Sequence, residues 1–594
     1  MVRFGVALAT AATLAAGLVV GTAPVANAAV VARGGCGWQA GMATANPPAA
    51  IRAGALTLPQ FRPVTLTLAG DIDWAVDPYR DPTWRLWFHS LKWAEALAAP
   101  GDTADLALAR SIATDFMADN PDPGTNDGGW EDHATSLRTS MLVCMWQRSE
   151  GDAEFRGWVE PIIAAHAKAL TDRYVGPWNH GMMQNLALLG AGCALDVPAW
   201  RATAAPRLAE AARVSIDSQG AITEQAPGYS SFIQNLLRDI GAHLTACELP
   251  APPGLAAQIA AVDLFAAHAT RPGGTFVQLG DTNPVAPSAG MGPYSAWVAS
   301  SGAQGTAPAS TVGVYDQAGY VFGRDSWLNT RQQYTLRFGP GRAVHGHNDH
   351  LSMTYWANGH DVLVDPGYSG YADPDFRRWQ KSAQAHNVPI VDGATFNPDA
   401  TAALVGKSAA NGAQSWQLRD RAFAGTERHR AVLVDDELRV MLVRDDLTST
   451  KKRALRVLWH LDASWRKEGV DNNERSGRAT FRSADGRYRA TILQLAAPRT
   501  SLPTNAAKLI KGRQKPVQGY VSRGHGDRTP AWVVEAHRGA AKKQSVVTLI
   551  VVTRVGEKVQ AGWTQSQGKD RIRVTVGNTT KVYDSTRRGG LSAR

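Results

Sequence analysis

The chain has 594 residues, with 62 Lys+Arg against 52 Asp+Glu and a formal net charge of +10. That length allows two or more large domains with real cores. After the first 28 residues no stretch approaches the roughly 20 apolar residues needed to cross a bilayer, which excludes an integral membrane protein built from helices.

The first residues, MVRFGVALATAATLAAGLVVGTAPVANA, read as a secretory signal peptide. Arg3 is the positive n-region, Gly5 to Val20 the apolar core, and Ala26-Asn27-Ala28 the small-residue cleavage site. Cleavage near Ala28 would leave an exported, soluble chain. An oxidising destination permits up to two disulfides among Cys36, Cys144, Cys193 and Cys247, with three possible pairings. Buried free thiols are the alternative, and no CxxC spacing points to a cysteine metal site.

Residues 29–63, rich in Ala, Gly and Pro, read as a linker. Residues 64–310 then run as helix after helix, for example TWRLWFHSLKWAEALA, HATSLRTSMLVCMWQR and YSSFIQNLLRDIGAHLTAC. Each carries apolar residues at i, i+3, i+4 and i+7, and breakers such as GPWNHG, DSQG and ELPAPPG divide them. Eight or more paired helices without strands predict an all-α solenoid or (α/α) toroid. From residue 311 to 594 the texture changes to short β-rich runs such as QYTLRF, HRAVLVDDELRVMLVRD and SVVTLIVVTRV. Regular short strands divided by NG, DG and SGR turns predict an antiparallel β-sandwich. The fold class is therefore multidomain α+β, a toroid followed by a sandwich.

Charge divides at the same place. Residues 311–594 hold 44 Lys+Arg and 26 Asp+Glu, a net of +18, while the remainder carries −8. A basic module suits an anionic partner through long-range steering. Nucleic acid fits the charge, but no recognition motif, basic helix or basic tail accompanies it. For an exported protein an acidic polysaccharide is the more economical partner, and a merely solvated basic surface is the alternative.

In the helical half, polar clusters sit between helices. Trp178-Asn179-His180-Gly181 opens an apolar helix, where Asn179 offers an amide to a ligand or simply caps the helix. Tyr229 follows a Pro-Gly pair at a helix start, with Glu224 five residues earlier. Asp132, His133 and Arg138 begin another helix, and Gln278-Leu279-Gly280-Asp281 closes a further loop. In the sheet half, His345 and His347 are two apart, which on a strand puts both imidazoles on one face. The run LSMTYWANGHDVLVDPG reads as a hairpin turning at Asn358-Gly359, which brings Asp365 near that pair. His386, in AHNVPIV, can complete the group. Imidazoles with a carboxylate have the composition of a zinc site, against the alternative of hydrogen-bonded structural histidines.

Taken together, WNH at 178–180, EQAPGY at 224–229, LGD at 279–281, HGHNDHLSM at 345–353, VDPGY at 364–368 and AHNVPIVDG at 385–393 resemble the heparinase II/III-like polysaccharide lyases. The resemblance implies eliminative cleavage of a uronate glycan lying between the two domains, giving 4,5-unsaturated products. It implies that Asn179 and His180 meet the substrate carboxylate, that Tyr229 is acid/base, and that His345 faces them. It also implies that His347, Asp365 and His386 hold a structural Zn2+. Arg138, Trp178, Glu224 and Tyr371 are the candidate substrate-binding residues. For Tyr229 to act as base, a nearby positive charge, from His345, His180 or Arg138, must lower its ordinary pKa near 10. Three other readings remain: an inverting hydrolase using acids among Asp127, Glu131, Asp132 and Glu224, a hydrolase with a catalytic zinc, and a noncatalytic binder of acidic glycans.

Overall fold

A computed structural model describes residues 35–99, 102–121, 129–498, 500–503, 506–566, 569–586 and 589–594. The signal-peptide segment, and Asp127 with it, lie outside the described residues. Among the described residues no helix is long and apolar enough to cross a membrane.

The helical half is built from α1 (Pro82–His89), α2 (Thr103–Asp119), α3 (Asp132–Arg148), α4 (Ala153–Asp172), α5 (Asn179–Ala194), α6 (Pro198–Ser215), α7 (Ser230–Ala246), α8 (Leu255–His268) and α9 (Pro293–Ala299). Together they form an (α/α) toroid around one apolar core. Side-chain caps set several starts: Asp81 accepts from the Thr83 amide, Asp102 from Ala104 and Asp105, and Asp152 from Phe155. The run expected as one helix over 83–98 is broken. Leu91 takes a positive φ of 52°, and residues Lys92–Ala98 continue as a 3₁₀ turn.

The segment read as a linker is part of this core. Trp38, Ile51, Leu56 and Leu58 are each at most 2% exposed, because Gly41–Ala45 and Pro48–Arg52 fold as short helices against the toroid. Cys36 is bonded to Cys144 of α3, and Cys193 to Cys247, which selects one of the three pairings. Ala- and Pro-rich composition hid the packing, since small residues give a weak periodic signal.

The sheet half begins at Val312 and holds three layers. A five-stranded antiparallel meander comprises β1 (Val312–Tyr315), β2 (Tyr320–Arg324), β3 (Gln332–Arg337), β4 (Met353–Ala357) and β5 (His360–Leu363). A ten-stranded sheet, centred on the long strands Val440–His460 and Trp532–Arg554, packs against it. A four-stranded sheet over 559–593 covers the far face. Alternation in the strand Thr426–Asp435 shows why its apolar run is unbroken. Val432 and Val434 join the core shared with the meander, while Ala431 and Leu433 face the four-stranded sheet. Asn358 and Gly359 take φ of 51° and 89° between β4 and β5, the hairpin turn expected of Asn-Gly.

Buried charges brace the sheet behind the loop that precedes β4. Arg430 grips Asp445 with two hydrogen bonds, 2.6 and 3.0 Å, and donates to the Leu351 and Asn387 carbonyls. Arg428 pairs with Asp420 and donates to the Pro389 and His350 carbonyls. Removing one partner strands the other charge in a dry site. Arg430→Met is therefore expected to cost about 3–5 kcal/mol in urea unfolding. Lys168→Met, which breaks the exposed Lys168–Asp172 pair, should leave the midpoint unchanged. Equal effects of the two changes would refute the bracing role.

Candidate active site

The site forms where loops of the toroid meet the loop between β3 and β4. Asn179 is the first residue of α5, so its backbone N–H is one of the unpaired donors of a helix start. That N–H donates to Glu224 Oε1 at 2.9 Å, and Asn179 Nδ2 donates to Glu224 Oε2 at 2.7 Å. Glu224 is completely buried. It orients Asn179 instead of meeting a ligand, which corrects its assignment as a substrate contact.

His345 reaches the same carboxylate from the sheet half, with Nε2 3.2 Å from Glu224 Oε2 and Nδ1 3.3 Å from Asp281 Oδ2. The backbone is tied as well: the His345 N–H donates to Glu224 O and the Asp281 N–H to His345 O, both at 3.0 Å. Gly280 makes that approach possible, because it has φ +56° and a Cβ there would sit 2.5 Å from Gln225 O and 2.6 Å from His345 O. His345 and His347 lie in irregular chain, not on a strand, so they do not share a face. They are brought together by Asp281, whose Oδ1 is 2.9 Å from His347 Nε2 while Oδ2 faces His345. Arg377 pairs with the same Oδ2. Burial would raise the Asp281 carboxyl, but hydrogen bonds from His345 and His347 and the Arg377 charge hold it well below the usual carboxylate range. Burial would lower His345, and Asp281 with Glu224 instead lift it to about 8.

Tyr229, in the 3₁₀ turn Pro227–Tyr229 before α7, stacks on the His345 ring with centroids 4.1 Å apart and planes 19° apart. Burial, with Tyr371, Asp281 and Glu224 adding to it, pushes its phenol well above the ordinary value. The lowered pKa expected for a tyrosine base is therefore absent. Resting Tyr229 is a phenol that can donate a proton.

His180 lines the same cleft, its side chain 40% exposed, with Nδ1 3.0 Å from Asp132 Oδ1. In the neutral imidazole that bond places the proton on Nδ1 and leaves Nε2 to accept one. Asp132 is lowered despite burial by hydrogen bonds from His180 and Glu131, while burial and the adjacent Asp132 raise Glu131 to about 9. The two carboxyls thus share one proton.

A cleft of about 770 Å³ joins these groups, its lining including Asn179, His180, Tyr229, His345, Tyr368 and Tyr371. Trp178 is half-buried outside that lining. Arg138 does not reach it: fully buried, it donates to His166 Nε2 at 2.9 Å and the His89 carbonyl at 2.7 Å and lies over the Phe116 ring. Its place on the inner side of α3 excludes the substrate-binding role and the role of lowering Tyr229. Asp281 and Arg377 went unassigned in the sequence, although the Gly before Asp281 marked a tight turn.

Behind the cleft, His347, Asp365 and His386 each present one ligand atom within 4.8 Å of the others. His347 Nδ1, Asp365 Oδ1 and His386 Nε2 are all buried and have no hydrogen-bond partner. Three orphaned donor-set atoms converging on one point are what a metal would satisfy. The other faces of these residues are fixed, by Asp281 on His347 Nε2 and by the 2.8 Å bond between His386 Nδ1 and Asp365 Oδ2. His350 is outside the group, bonded to the Pro340 carbonyl at 3.0 Å.

Residues 315–575 match the family model described as heparinase II/III-like, C-terminal. No curated protein matches the sequence. Among solved structures, a heparan sulfate lyase from Pedobacter heparinus is 18% identical, with 91% of this chain and 88% of that chain covered and a TM-score of 0.63. A heparinase III structure is 16% identical over 91% and 90%, with a TM-score of 0.72. A chondroitin AC lyase from Streptomyces coelicolor A3, in complex with chondroitin sulphate, is 12% identical over 96% and 86%, with a TM-score of 0.50. These likenesses establish the fold, a toroid followed by a sandwich.

The shared proton of Glu131 and Asp132 can be read from stability. A folded pKa of about 9 against an ordinary 4.5 means that Glu131 contributes fully below 4.5 and progressively less as pH rises toward 9. Glu131→Gln has no such loss. Its melting temperature should match the parent's below about pH 4.5 and exceed it increasingly up to about pH 9. Parallel curves for the two proteins would disprove the shared proton.

Proposed function

We propose, on the premise that the sheet half of this chain belongs to the heparinase II/III-like C-terminal family, that the protein is a secreted polysaccharide lyase acting on a uronate glycan. The observation that carries the reading is the convergence, in one interdomain cleft, of Asn179, His180, Tyr229 and His345. Two disulfides are consistent with an oxidising destination.

β-Elimination removes the proton at C5 of the uronate, moves that electron pair into a C4=C5 double bond and expels the oxygen at C4. The proton is weakly acidic while the neighbouring carboxylate is charged, so hydrogen bonds to that carboxylate lower the barrier. Asn179 Nδ2 donates to Glu224 and lies 3.2 Å from His345 Nε2, and this Asn179–His345 pair is assigned to the substrate carboxylate. His345 is unsuited as base, because both its ring nitrogens already face carboxylates. His180 Nε2 fits that task, with Asp132 steadying the imidazolium that forms. Tyr229 gives its phenolic proton to the leaving oxygen.

Zn2+ is the ion whose chemistry His347 Nδ1, Asp365 Oδ1 and His386 Nε2 suit. Bound there it would supply a cross-link between the β3–β4 loop, the segment after β5 and the segment before Pro389–Val391. A hydrolase using two acids is less well supported. Glu224 is buried against Asn179, and Glu131 and Asp132 are hydrogen-bonded to each other, which leaves no room between them for an attacking water.

The expected readouts are direct. Tyr229→Phe should abolish the ultraviolet absorbance of unsaturated uronate ends while leaving the circular dichroism spectrum intact, and His180→Ala should reduce kcat at least ~10²-fold. Full activity of Tyr229→Phe would sink the mechanism. Chelation should lower the melting temperature, and added Zn2+ should restore it. An unchanged melting temperature on chelation would remove the structural metal from the reading.

A further inference from the structure

The cleft's walls say more about the glycan than its catalytic floor does. One side is apolar: Pro82, Leu86 and Trp87 from α1, Phe232 from α7, and Val285. Val285 and Tyr371 remain 46% and 43% exposed, an unusual state for large side chains in a concave site. The acidic groups in the lining are Glu131 and Asp281. Among the described lining residues Arg85 is the one Lys or Arg, and it faces Asp77 at 3.5 Å with its own side chain 48% exposed. The next guanidinium inward, Arg377, is buried and already paired with Asp281.

The basic surplus of the sheet half does not change this, because that half contributes His345, Tyr368 and Tyr371 to the lining and no Lys or Arg. Part of it is spent inside, on Arg337, Arg428 and Arg430 with their aspartates. A sulfate ester stays ionised at every working pH. Within this cleft it would lose water and find one exposed guanidinium, Arg85, already facing Asp77, and it would meet the negative Glu131–Asp132 pair. A uronate carboxylate, in contrast, has the Asn179 amide, with the His345 imidazole 3.2 Å from it, to receive it. The apolar side offers contact to the C–H faces of sugar rings or to acetyl groups.

We propose that the cleft selects an unsulfated uronate glycan, presenting ring C–H faces or N-acetyl groups to the Leu86–Trp87–Phe232 side and its carboxylate to Asn179 beside His345. The proposal deepens the lyase reading of the same site and rests on it.

The experiment uses two matched pairs, chondroitin with chondroitin sulfate and heparosan with chemically O-sulfated heparosan, on the full-length protein. Unsaturated ends should form with kcat/KM at least tenfold higher on the unsulfated member of a pair, and Leu86→Lys or Phe232→Lys should narrow that gap. Equal or faster cleavage of the sulfated member overturns the proposal. A second arm measures binding of tetrasaccharides from the same four polymers to Tyr229→Phe by calorimetry. Oligosaccharides of that length report on the cleft and not on the basic outer surface. If no polymer yields unsaturated ends but the unsulfated tetrasaccharides bind more tightly, the lyase reading falls and the selectivity stands. Tighter binding of the sulfated ones, or binding of neither, overturns the selectivity itself.

Discussion

One carboxylate holds the two halves in register. Asp281, on a toroid loop, receives His345 on one oxygen and His347 on the other, with Arg377 against the first. All four side chains are buried or nearly so, which makes every missing partner costly. The catalytic floor and the histidine–aspartate group behind it are therefore positioned by the same contact. Glu224 repeats the arrangement on a smaller scale, bridging Asn179 of the toroid and His345 of the sheet half.

Around that contact the fold supplies rigidity at different depths. The Arg428–Asp420 and Arg430–Asp445 pairs reach carbonyls of the β3–β4 loop from beneath. Asn387, also buried, donates to the Met353 and Val364 carbonyls and accepts from the His460 N–H, which pins β4 and β5 beside His386. Asp81 caps α1 and also meets His525 at 2.7 Å, so the helix bearing Leu86 and Trp87 is fastened to the sheet half. Side chains at the cleft are thus held from three directions.

The architecture was legible because its signals are repetitive. Helical periodicity over 64–310, alternating strands after 311 and one Asn-Gly turn each express a regular backbone. The site was legible in part. Asn179, His180, Tyr229 and His345 do share a cleft, and the atoms of His347, Asp365 and His386 do converge. What was hidden depends on packing across the chain. Arg138 carries a substrate-binding side chain's chemistry, yet the inner face of α3 turns it toward His166. Glu224 reads as a loop acid, yet the start of α5 claims both its oxygens. The raised phenol of Tyr229 is a product of burial and of Tyr371 and Asp281, both distant in sequence.

The bridging position of Asp281 bears on how such two-part proteins can be recombined. A toroid transplanted onto a foreign sandwich would bring a buried carboxylate to an interface lacking its imidazoles and guanidinium. The sandwich left without its toroid would in turn present His347 with one face unsatisfied. Neither half is a free-standing cassette in this chain. The exchangeable unit is the toroid loop bearing Asp281 together with the β3–β4 loop and Arg377, and a chimera that splits them loses the floor of its cleft before any substrate contact is altered.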